Sequence, residues 1–532
     1  MSRVNHPWLR SLTGLLLLIG VLVMPHTLGT TPLPALPLLA LIVTLVLLPG
    51  AGAADRPLRL VATLGVLMLG LLKGADLAMS AAYSRALNPV TDTGLAIAAW
   101  QFAVGTVGIA AATAGLAAIG LALIALAVAL FWGLGGLRRL PFAGRMTLAG
   151  LCGLGLLGYA VGSLGVGPRI VQAENLAYVA DRARLIRTTY RELADFERAL
   201  ADDPLAGADR RSLFSALDGR DVVVIFVESY GRSAIEDRRY AETIGARLTS
   251  IDAQLARAGH HAVSGWLRSP TVGGMSWLAH GTLLSGLWID NQRRYDRLVA
   301  SDRRSLNRLF AEAGWTTLAA MPAITMDWPE AAWFGYDQVM GAADLGYAGK
   351  PFNWVTMPDQ YTLAAIQRLL ASIDAPAMVE TALISSHAPW TPIPHLVPWD
   401  SVGDGRIFNA QAEAGASPSE VWADPARVRI QYEKAIDYSL ATIGDYMARF
   451  GEDTVFIVVG DHQPAPIITG DDASREVPIH IVTDAPGLLS RLEPRYWSPG
   501  MRPAPGLPVR SMHEFRLFFT AAMSDLSPKP SN

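Results

Sequence analysis

Residues 221–228 read DVVVIFVE and residues 453–461 read DTVFIVVGD, and these two stretches indicate the fold. Both are unbroken runs of apolar, mostly β-branched residues without the alternation of a half-exposed strand, which is typical of strands covered on both faces. Helix-like segments such as 301–313 and 427–449 lie between strand-like ones. The pattern favours an α/β sheet with helices on both sides, with weaker strand candidates at TTLAAM (316–321), VETALIS (379–385) and VPIHIVTD (477–484).

The first third of the chain has a different composition and indicates a membrane domain. Of the 532 residues, the first 166 contain nine of the 44 Lys/Arg and three of the 47 Asp/Glu. A transmembrane helix needs about 20 mainly apolar residues. Five segments meet this requirement, and they predict an α-helical membrane domain over 1–167 with five spans: 11–29, 33–52, 60–80, 108–134 and 146–166.

The positions of the arginines predict the orientation of these spans. Short loops on the cytoplasmic side of a membrane are enriched in Lys and Arg. The loop after span one has neither, and the loop after span three has only Arg85, whereas the N-terminus and the loops after spans two and four carry Arg3, Arg10, Arg56, Arg59, Arg138, Arg139 and Arg145. We therefore expect the N-terminus in the cytoplasm and everything after span five outside it.

The rest of the chain predicts an exported domain without disulfides. Residues 168–219 include a charged, amphipathic stretch that predicts a helical linker, and 220–532 contain the strand-like runs. The only cysteine, Cys152, lies in predicted span five, which excludes thiol catalysis, cysteine-based zinc sites and a cysteine-derived formylglycine. No basic stripe stands out, and we therefore expect no nucleic-acid partner.

Three side chains of the kind that bind metals follow the two strongest strand candidates. Glu228 comes directly after VVVIFV, and Asp461 and His462 come after VFIVVG. In α/β sheets, functional groups gather beyond the C-terminal ends of the strands. Two carboxylates and an imidazole suit a divalent cation such as Mn²⁺ or Zn²⁺. The alternative is that each residue ends its strand and caps the next turn.

The stretch SPTVGGMSWLAHGTLLSG (269–286) contains a candidate nucleophile, Thr271. A neutral hydroxyl reacts poorly until a metal or a base activates it. Gly273 and Gly274 would let backbone amides approach a phosphoryl oxygen, and the N-terminus of the following helix favours an anion. The alternative is that Thr271 and Ser276 are helix caps, and we interpret Ser276 in this way.

Four short motifs occur in the order found in a known family. VVVIFVESYG, PTVGGM, SSHAPW and VVGDHQP resemble motifs of the alkaline phosphatase/sulfatase-like membrane phosphotransferases, which include lipoteichoic acid synthases, glucan phosphoglycerol transferases and phosphoethanolamine transferases. The family layout is five spans followed by an exported α/β sandwich of the alkaline phosphatase-like type. The resemblance implies one divalent metal ion, Mn²⁺ or Zn²⁺, bound by Glu228, Thr271, Asp461 and His462, with Thr271 as the nucleophile that becomes phosphorylated.

The resemblance also implies substrate-binding residues. His387, in SSHAPW, matches a histidine that contacts the substrate phosphate in the family, and His395 follows eight residues later. A histidine there would bind phosphoryl oxygens or protonate the leaving alkoxide. Asp327 and Trp328, in MDWPEAAWFGYDQ (326–338), match a segment that would line a head-group pocket. The alternative for these residues is a structural role.

Together with the resemblance, the sequence predicts a multi-pass enzyme of a bacterial-type inner (cytoplasmic) membrane, with its catalytic domain on the periplasmic or extracellular side. Phosphatidylglycerol is the favoured phospholipid donor, and a glycan or lipid-glycan accepts a phosphoglycerol-type group through a phospho-threonine intermediate. Phosphoethanolamine transfer ranks second, since lipid A enzymes of that kind usually carry disulfides. A sulfatase or phosphodiesterase is a further alternative, although SPTVGGMS lacks the arginine of the sulfatase C/S-x-P-x-R segment.

Overall fold

The computed structural model describes residues 7–26, 36–47, 55–83, 85–92, 94–96, 99–100, 103–104, 108–163, 174–470 and 473–525. The chain divides into two compact units. Unit 1 comprises Met1–Ala81 and Arg85–Leu193, and unit 2 comprises Ala82–Ser84 and Ala194–Asn532. The predicted domain boundaries, 1–167, 168–219 and 220–532, stay a prediction.

Helices α1 to α6, which begin in unit 1, are Pro7–Val23, Leu36–Leu47, Asp55–Tyr83, Ile109–Leu137, Phe142–Ser163 and Glu174–Ala201. Helix α6 lies within the segment whose amphipathic pattern predicts a helical linker. In unit 1, its Tyr178 hydroxyl donates to Asp76 Oδ2 of α3 at 2.5 Å, and the Leu87 amide donates to Asp76 Oδ1 at 2.8 Å. The buried Asp76 carboxylate thereby ties α6 and the segment after α3 to α3.

The sequence predicts five membrane spans, whereas the described residues contain three helices that are long and apolar enough to cross a membrane: Asp55–Tyr83, Ile109–Leu137 and Phe142–Val161. Parts of the first two predicted spans lie outside the described residues. Helices α1 and α2 have 17 and 12 residues. At 1.5 Å per residue the described part of α1 extends about 26 Å, less than the roughly 30 Å of a hydrocarbon core, while the residues on both sides of α2 lie outside the described part of the chain.

Prolines stand close to the end of α1 and the start of α2. Helix α1 ends at Val23, two residues before Pro25, and Pro37 stands in the first turn of α2. Proline lacks an amide hydrogen and disfavours the helical conformation of the residue before it. Proline therefore explains why α1 ends at Val23, inside the predicted span 11–29.

The surface of unit 1 is apolar along its long helices. On α4, the side chains of Leu116, Ile119, Leu121 and Ile124 are 60–68% exposed. A contiguous apolar surface of this kind is unfavourable in water, and a lipid bilayer would cover it. The exposed face of α4 is therefore suited to contact with lipid.

Helices α1 and α4 meet at backbone distance. A Cβ added to Gly14 would lie 2.6 Å from the carbonyl carbon of Gly133, and one added to Gly133 would lie 2.3 Å from Gly14 Cα. Small residues permit such close helix contacts in membrane proteins. Buried apolar side chains of α1, α2 and α4 surround the contact: Leu18, Leu22, Val43, Val46, Leu130 and Leu134.

Unit 2 contains a nine-stranded sheet, and its strands β1 to β9 are Asp221–Val227, His261–Arg268, Thr316–Ala320, Gln338–Met340, Ala377–Leu383, Thr454–Gly460, Glu476–Thr483, Ser498–Pro499 and Val509–Ser511. The order across the sheet is β4-β3-β5-β1-β6-β7-β2-β8, and β9 pairs with β2. Strands β4, β3, β5, β1 and β6 run parallel, while β7 is antiparallel to both β6 and β2. The α/β prediction is confirmed, and all five predicted strands are present.

Helices cover both faces of the sheet. The helices α7 to α19 are Arg232–Glu236, Ala241–Arg257, Ser276–Ser285, Gln292–Val299, Leu306–Ala313, Ala331–Phe334, Asp359–Leu370, Asn409–Ala412, Pro418–Trp422, Pro425–Phe450, Pro466–Thr469, Pro486–Leu489 and Phe515–Ala522. Val223 and Ile225 of β1 share an apolar cluster with α8, α13 and α16. On the opposite face Phe226 stacks on His280 of α9, with ring centroids 3.7 Å apart. Burial from both sides explains why β1 shows no apolar–polar alternation.

Four strands have little sequence signal. Strands β4, β8 and β9 contain three, two and three residues, which is too short for a pattern. Strand β2 has Gly265 in its interior, where a Cβ would lie 2.6 Å from the carbonyl oxygen of Tyr496. Glycine inside a strand often marks such a close approach. The tertiary contact that requires glycine therefore weakens the strand pattern of β2.

Gly460 ends β6 where the chain after β1 passes closely. A Cβ on Gly460 would lie 1.9 Å from the carbonyl oxygen of Tyr230, a backbone atom that cannot rotate away. We expect Gly460→Ala to destabilise unit 2 by about 1–3 kcal/mol or more, because the backbone must shift. The measurement is thermal unfolding of the detergent-solubilised full chain, followed by near-ultraviolet circular dichroism.

Gly487→Ala is the control for this substitution, because an added Cβ there meets no atom within 4 Å. Its unfolding midpoint should equal that of the wild type. Equal midpoints for Gly460→Ala and Gly487→Ala would contradict the close approach at Gly460.

Candidate metal centre

Two neighbouring parallel strands bring a pair of carboxylates together. Strands β1 and β6 pair with Val227 opposite Gly460, so that Glu228 and Asp461 are the next residues on adjacent strands. The amide of Asp461 lies 3.4 Å from the carbonyl oxygen of Val227, to which it donates. The register of the sheet therefore sets both acids at the same edge, as the sequence predicts.

Glu228, Asp461 and His462 form a buried cluster at this edge. Each offers one potential ligand atom, and these atoms lie within 4.8 Å of one another. His462 Nε2 is 3.3 Å from Glu228 Oε1 and 3.6 Å from Asp461 Oδ2. His462 Nδ1 lies 2.9 Å from the carbonyl oxygen of Gln463. With a proton on Nδ1 donated to that carbonyl, Nε2 faces the two carboxylates.

The turn after β1 orients Asp461. Ser229 has a φ of 57°, in the left-handed region that residues other than glycine rarely adopt. Its amide donates to Asp461 Oδ1 at 2.8 Å, and the amide of His462 donates to the same oxygen at 2.6 Å. Ser229 Oγ also donates to Glu228 Oε1 at 2.9 Å. These bonds hold a strained residue in place, and such residues are concentrated at functional sites.

The cluster concentrates negative charge in a buried space. Burial and the Glu228 carboxylate raise the pKa of Asp461 to about 8. Burial disfavours the charged form of His462, but Asp461 and Glu228 outweigh this effect and raise the pKa of the imidazole to about 9. Burial also opposes ionisation of Glu228, yet the positive charge of His462 lowers the pKa of that carboxyl. Protons therefore balance the charge of this cluster.

The donor set fits a divalent cation. Carboxylate oxygens and a histidine nitrogen are ligands of Zn²⁺ and Mn²⁺, and the three residues are at most 9% exposed. A cation would supply the positive charge that protons supply otherwise. Glu228, Asp461 and His462 are the residues that would hold it, and this donor set is compatible with either metal.

The loop before α9 is joined to the backbone of the Asp461–Gln463 segment by two hydrogen bonds. Ser269 Oγ donates to the carbonyl oxygen of Asp461 at 2.6 Å, and the Gly273 amide donates to the carbonyl oxygen of Gln463 at 2.8 Å. Thr271 is 4% exposed, and its Oγ1 donates to the carbonyl oxygen of Gly274 at 2.7 Å. The Thr271 hydroxyl thus closes the turn that leads into α9.

The Ser276 hydroxyl contacts both Glu228 and His462 of the cluster. Ser276 is the first residue of α9, and its Oγ donates to Glu228 Oε2 at 3.0 Å and lies 3.2 Å from His462 Nε2. The N-cap of α9 is Met275, with a φ of 61° and no side-chain capping bond. The interpretation of Ser276 as a helix cap is therefore wrong. Its position at the start of the helix was the available signal, but the left-handed turn that aims its hydroxyl has no sequence pattern of its own.

His387 lies on the segment after β5, next to Glu228. Ser386 Oγ donates to the carbonyl oxygen of Glu228 at 2.7 Å, and this bond joins the segment to the metal centre. The half-buried His387 ring stacks on Trp354, with ring centroids 4.0 Å apart. Its charge contributes to lowering the pKa of Glu228, after the larger effects of burial and His462. His387 is therefore near the cluster.

Asp359 organises the same segment, although the sequence indicates no role for it. Its Oδ1 accepts from the amides of Ile384 and Ser385 at 3.0 and 2.8 Å, and its Oδ2 accepts from Ser439 Oγ at 2.6 Å. The residue is fully buried, and burial raises the pKa of its carboxyl. Asp359 thereby connects α13 to the backbone that carries His387.

The other predicted substrate-binding residues lie apart from these contacts. His395 is exposed, and its amide donates to Gln411 Oε1 at 2.6 Å. Asp327 is exposed, while the ring of Trp328 lies 5.3 Å from that of Phe334. Within the described ranges, no hydrogen bond or ion pair joins these three residues to the metal cluster. Their roles in substrate binding stay predictions.

No protein-family model and no curated protein sequence matches the chain. Among solved structures, the chain is similar to the integral membrane lipooligosaccharide phosphoethanolamine transferase EptA of Neisseria meningitidis, with 13% identity, a TM-score of 0.44, and coverage of 92% of this chain and 89% of that chain. It is similar to the lipoteichoic acid synthase LtaP of Listeria monocytogenes at 12% identity and TM-score 0.36, covering 61% and 76%. It is similar to the phosphoglycerol transferase GacH of Streptococcus pyogenes at 11% identity and TM-score 0.39, covering 61% and 85%.

These proteins are of the kinds that the motif order resembles, and they include both phosphoglycerol and phosphoethanolamine transferases. With identities of 11–13% and TM-scores below 0.5, the matches do not establish what this chain binds or catalyses.

We expect the chelator-treated full chain to bind one equivalent of Mn²⁺ or Zn²⁺ in isothermal titration calorimetry. His462→Ala removes one of the three donors and should weaken binding by about 100-fold or more. His395→Ala is the matched control, because this exposed histidine is not bonded to the cluster. Unchanged affinity in His462→Ala, or an equal loss in His395→Ala, would place the metal elsewhere.

Proposed function

We propose that this chain is a metal-dependent phosphotransferase of the alkaline phosphatase/sulfatase-like type, with one divalent ion, Mn²⁺ or Zn²⁺. The observation that carries the proposal is the Ser276 hydroxyl, which contacts Glu228 and His462 inside a cluster that fits a divalent cation. The hydroxyl also stands at the N-terminus of α9, where partial positive charge favours a phosphoryl group. A nucleophile, a metal-binding cluster and an anion-binding helix end thus occur together.

The transferred group in this proposal is of the phosphoglycerol type. A membrane phospholipid, with phosphatidylglycerol favoured, donates it, and an extracytoplasmic glycan or lipid-glycan accepts it. The motif resemblance supports this choice over phosphoethanolamine, as does the lack of cysteine after Cys152. The lipid-facing side chains of α4 support a location where a phospholipid donor is at hand.

The membrane location belongs to the same proposal. Residues 1–167 form the membrane domain, 168–219 the linker and 220–532 the catalytic domain. The three long apolar helices support a multi-pass protein of a bacterial-type inner membrane. The distribution of arginines supports a periplasmic or extracellular catalytic domain.

A bound divalent cation would lower the pKa of the attacking hydroxyl and stabilise the phosphoryl charge. Ser276 Oγ already donates its hydrogen to Glu228 Oε2, which provides an acceptor for the proton when the Oγ–P bond forms. The bond from phosphorus to diacylglycerol breaks, and diacylglycerol leaves with a proton supplied from His387. A hydroxyl of the acceptor then displaces Oγ from phosphorus and gives its proton to His387, while Oγ takes back the proton that it passed to Glu228, which restores both Ser276 and His387.

The identity of the nucleophile is the point at which the sequence and the geometry differ. The resemblance assigns attack to Thr271, while the geometry supports Ser276, because Thr271 Oγ1 is engaged with the Gly274 carbonyl oxygen. In the proposed mechanism Thr271 shapes the turn and Ser276 reacts. Thr271 lies in the loop before α9, and Ser276 is the first residue of that helix. Mapping the modified residue therefore distinguishes the two assignments.

Adduct mapping tests the donor and the nucleophile together. We expect mass spectrometry of the full chain after incubation with phosphatidylglycerol to show a phosphoglycerol adduct on Ser276. Ser276→Ala should lose the adduct and lower kcat by about 10³-fold or more. Thr271→Ser keeps a hydroxyl for the turn and should retain the adduct.

Each other result of this experiment has a distinct meaning. An adduct on Thr271 would support the assignment from the sequence and exclude Ser276. An adduct formed only with phosphatidylethanolamine would support phosphoethanolamine transfer. No adduct with either lipid, in a protein that still binds metal, would contradict a transferase with a covalent intermediate.

The role of His387 has its own test. We expect His387→Asn to lower kcat by about 10²–10⁴-fold with a smaller change in KM, because the leaving alkoxide would lack its proton donor. His261→Asn is the matched control and should retain kcat, because this exposed histidine begins β2 at the end of the sheet opposite to Asp461. A rise in KM with unchanged kcat in His387→Asn would instead limit the residue to ground-state binding of the phosphate.

A further inference from the structure

A cavity in unit 1 is lined mainly by arginines, and none of its lining residues belongs to the metal cluster. Its volume is about 450 Å³. We call it the arginine pocket and define it by its lining residues: Arg10, Asp55, Arg59, Trp132, Gly135, Arg138 and Arg139. Four arginines and one aspartate thus line the cavity.

Close helix packing builds the arginine pocket. The contact of Gly14 with Gly133 sets α1 against α4, and a Cβ on Gly136 would lie 2.9 Å from the amide nitrogen of Ser11. Arg10, the residue before Ser11, is therefore held beside the end of α4. A Cβ on Gly135 would lie 2.3 Å from an Arg59 Nη1 atom, so that glycine here leaves room for the guanidinium.

The positive charge of the pocket exceeds what its carboxylate can balance. Asp55 pairs with Arg59 at 2.6 Å and with Arg138 at 3.0 Å. Within the part of the chain that the structure describes, neither Arg10 nor Arg139 has a carboxylate partner. Two exposed arginines therefore have no carboxylate partner beside a cavity that also holds a shared ion pair, and an anion bound there would reduce their mutual repulsion.

The surroundings of the pocket indicate the source of such an anion. Trp132 lines the pocket and is 65% exposed, and Trp8 of α1, two residues before Arg10, is 58% exposed. Exposed tryptophans are typical of the membrane–water interface. The Arg59 guanidinium also lies over the Phe131 ring at 4.6 Å, in an apolar setting. Basic pockets between membrane helices at this level bind anionic lipid head groups.

We propose that the arginine pocket binds a phosphate-bearing anion, and that its source is the head group of an anionic phospholipid. Guanidinium groups match the geometry of a phosphate through paired hydrogen bonds. Arg10 and Arg139 supply the charge, while Asp55 keeps Arg59 and Arg138 in place. The pocket is a binding site separate from the chemistry of the metal centre, and it requires none of the residues proposed to react.

The test is native mass spectrometry of the full chain in uncharged detergent, with phosphatidylglycerol or phosphatidylcholine added. We expect at least a tenfold preference for phosphatidylglycerol, which should weaken as salt screens the charges. The double variant Arg10→Gln/Arg139→Gln should lose one bound phosphatidylglycerol or about tenfold in affinity. Because the metal centre is intact in every variant, lipid bound there as donor does not change the difference.

Arg56→Gln is the matched control, since Arg56 is an exposed arginine of α3 that does not line the pocket. It should bind lipid as the wild type does. Equal binding by the double variant and the wild type, at equal unfolding midpoints, would overturn the proposal, as would an equal loss in Arg56→Gln.

Inorganic phosphate forms the second arm of the experiment. Under the proposal, phosphate raises the unfolding midpoint of the wild type less than phosphatidylglycerol does. A larger shift with phosphate, absent from the double variant and accompanied by no preference for phosphatidylglycerol, would assign the pocket to a soluble anion and overturn the lipid source.

Discussion

The parallel pairing of β1 with β6 is the constraint on which the candidate site depends. Val227 lies opposite Gly460, so that Glu228 and Asp461 leave the sheet side by side. The same register requires glycine at Gly460, because the carbonyl oxygen of Tyr230 occupies the space of a side chain there. A slip by one residue would turn each acid to the other face of the sheet. The positions of Glu228 and Asp461 are therefore fixed by the same strand register that fixes the buried residues of β1 and β6.

The buried charges at this edge explain the arrangement around them. Two carboxylates that approach one another out of water need positive charge, and the raised pKa values of Asp461 and His462 reflect this need. Hydrogen bonds from the amides of Ser229 and His462 hold one oxygen of Asp461 and leave the other toward the cluster. The repulsion between the buried Glu228 and Asp461 carboxylates is thus also the reason why this cluster is suited to bind a cation.

In unit 1, as at Gly460 in unit 2, glycines allow the backbone to approach neighbouring atoms closely. The backbone contact of Gly14 with Gly133 determines how closely α1 and α4 approach, and Gly135 admits the Arg59 side chain. Arginines that the positive-inside rule treats as separate charges are thereby collected into one cavity. Close packing at these glycines therefore brings arginines that indicate membrane topology together around the arginine pocket.

Local pattern alone was sufficient for the five main strands, the α/β class and the three residues of the cluster. Buried strands need apolar residues at every position, and acids that end parallel neighbours must meet at one edge, so that both properties are readable without contacts. Tertiary structure decided the position of Asp359 and the contact of Ser276 with the cluster. The position of the Ser276 hydroxyl depends on a turn through Gly274 and Met275, both of which have positive φ. The loop before this turn is held by hydrogen bonds from Ser269 and Gly273 to the carbonyl oxygens of Asp461 and Gln463, which come much later in the sequence. Such a turn is defined by distant partners, and therefore no local pattern of residues could specify which hydroxyl it presents.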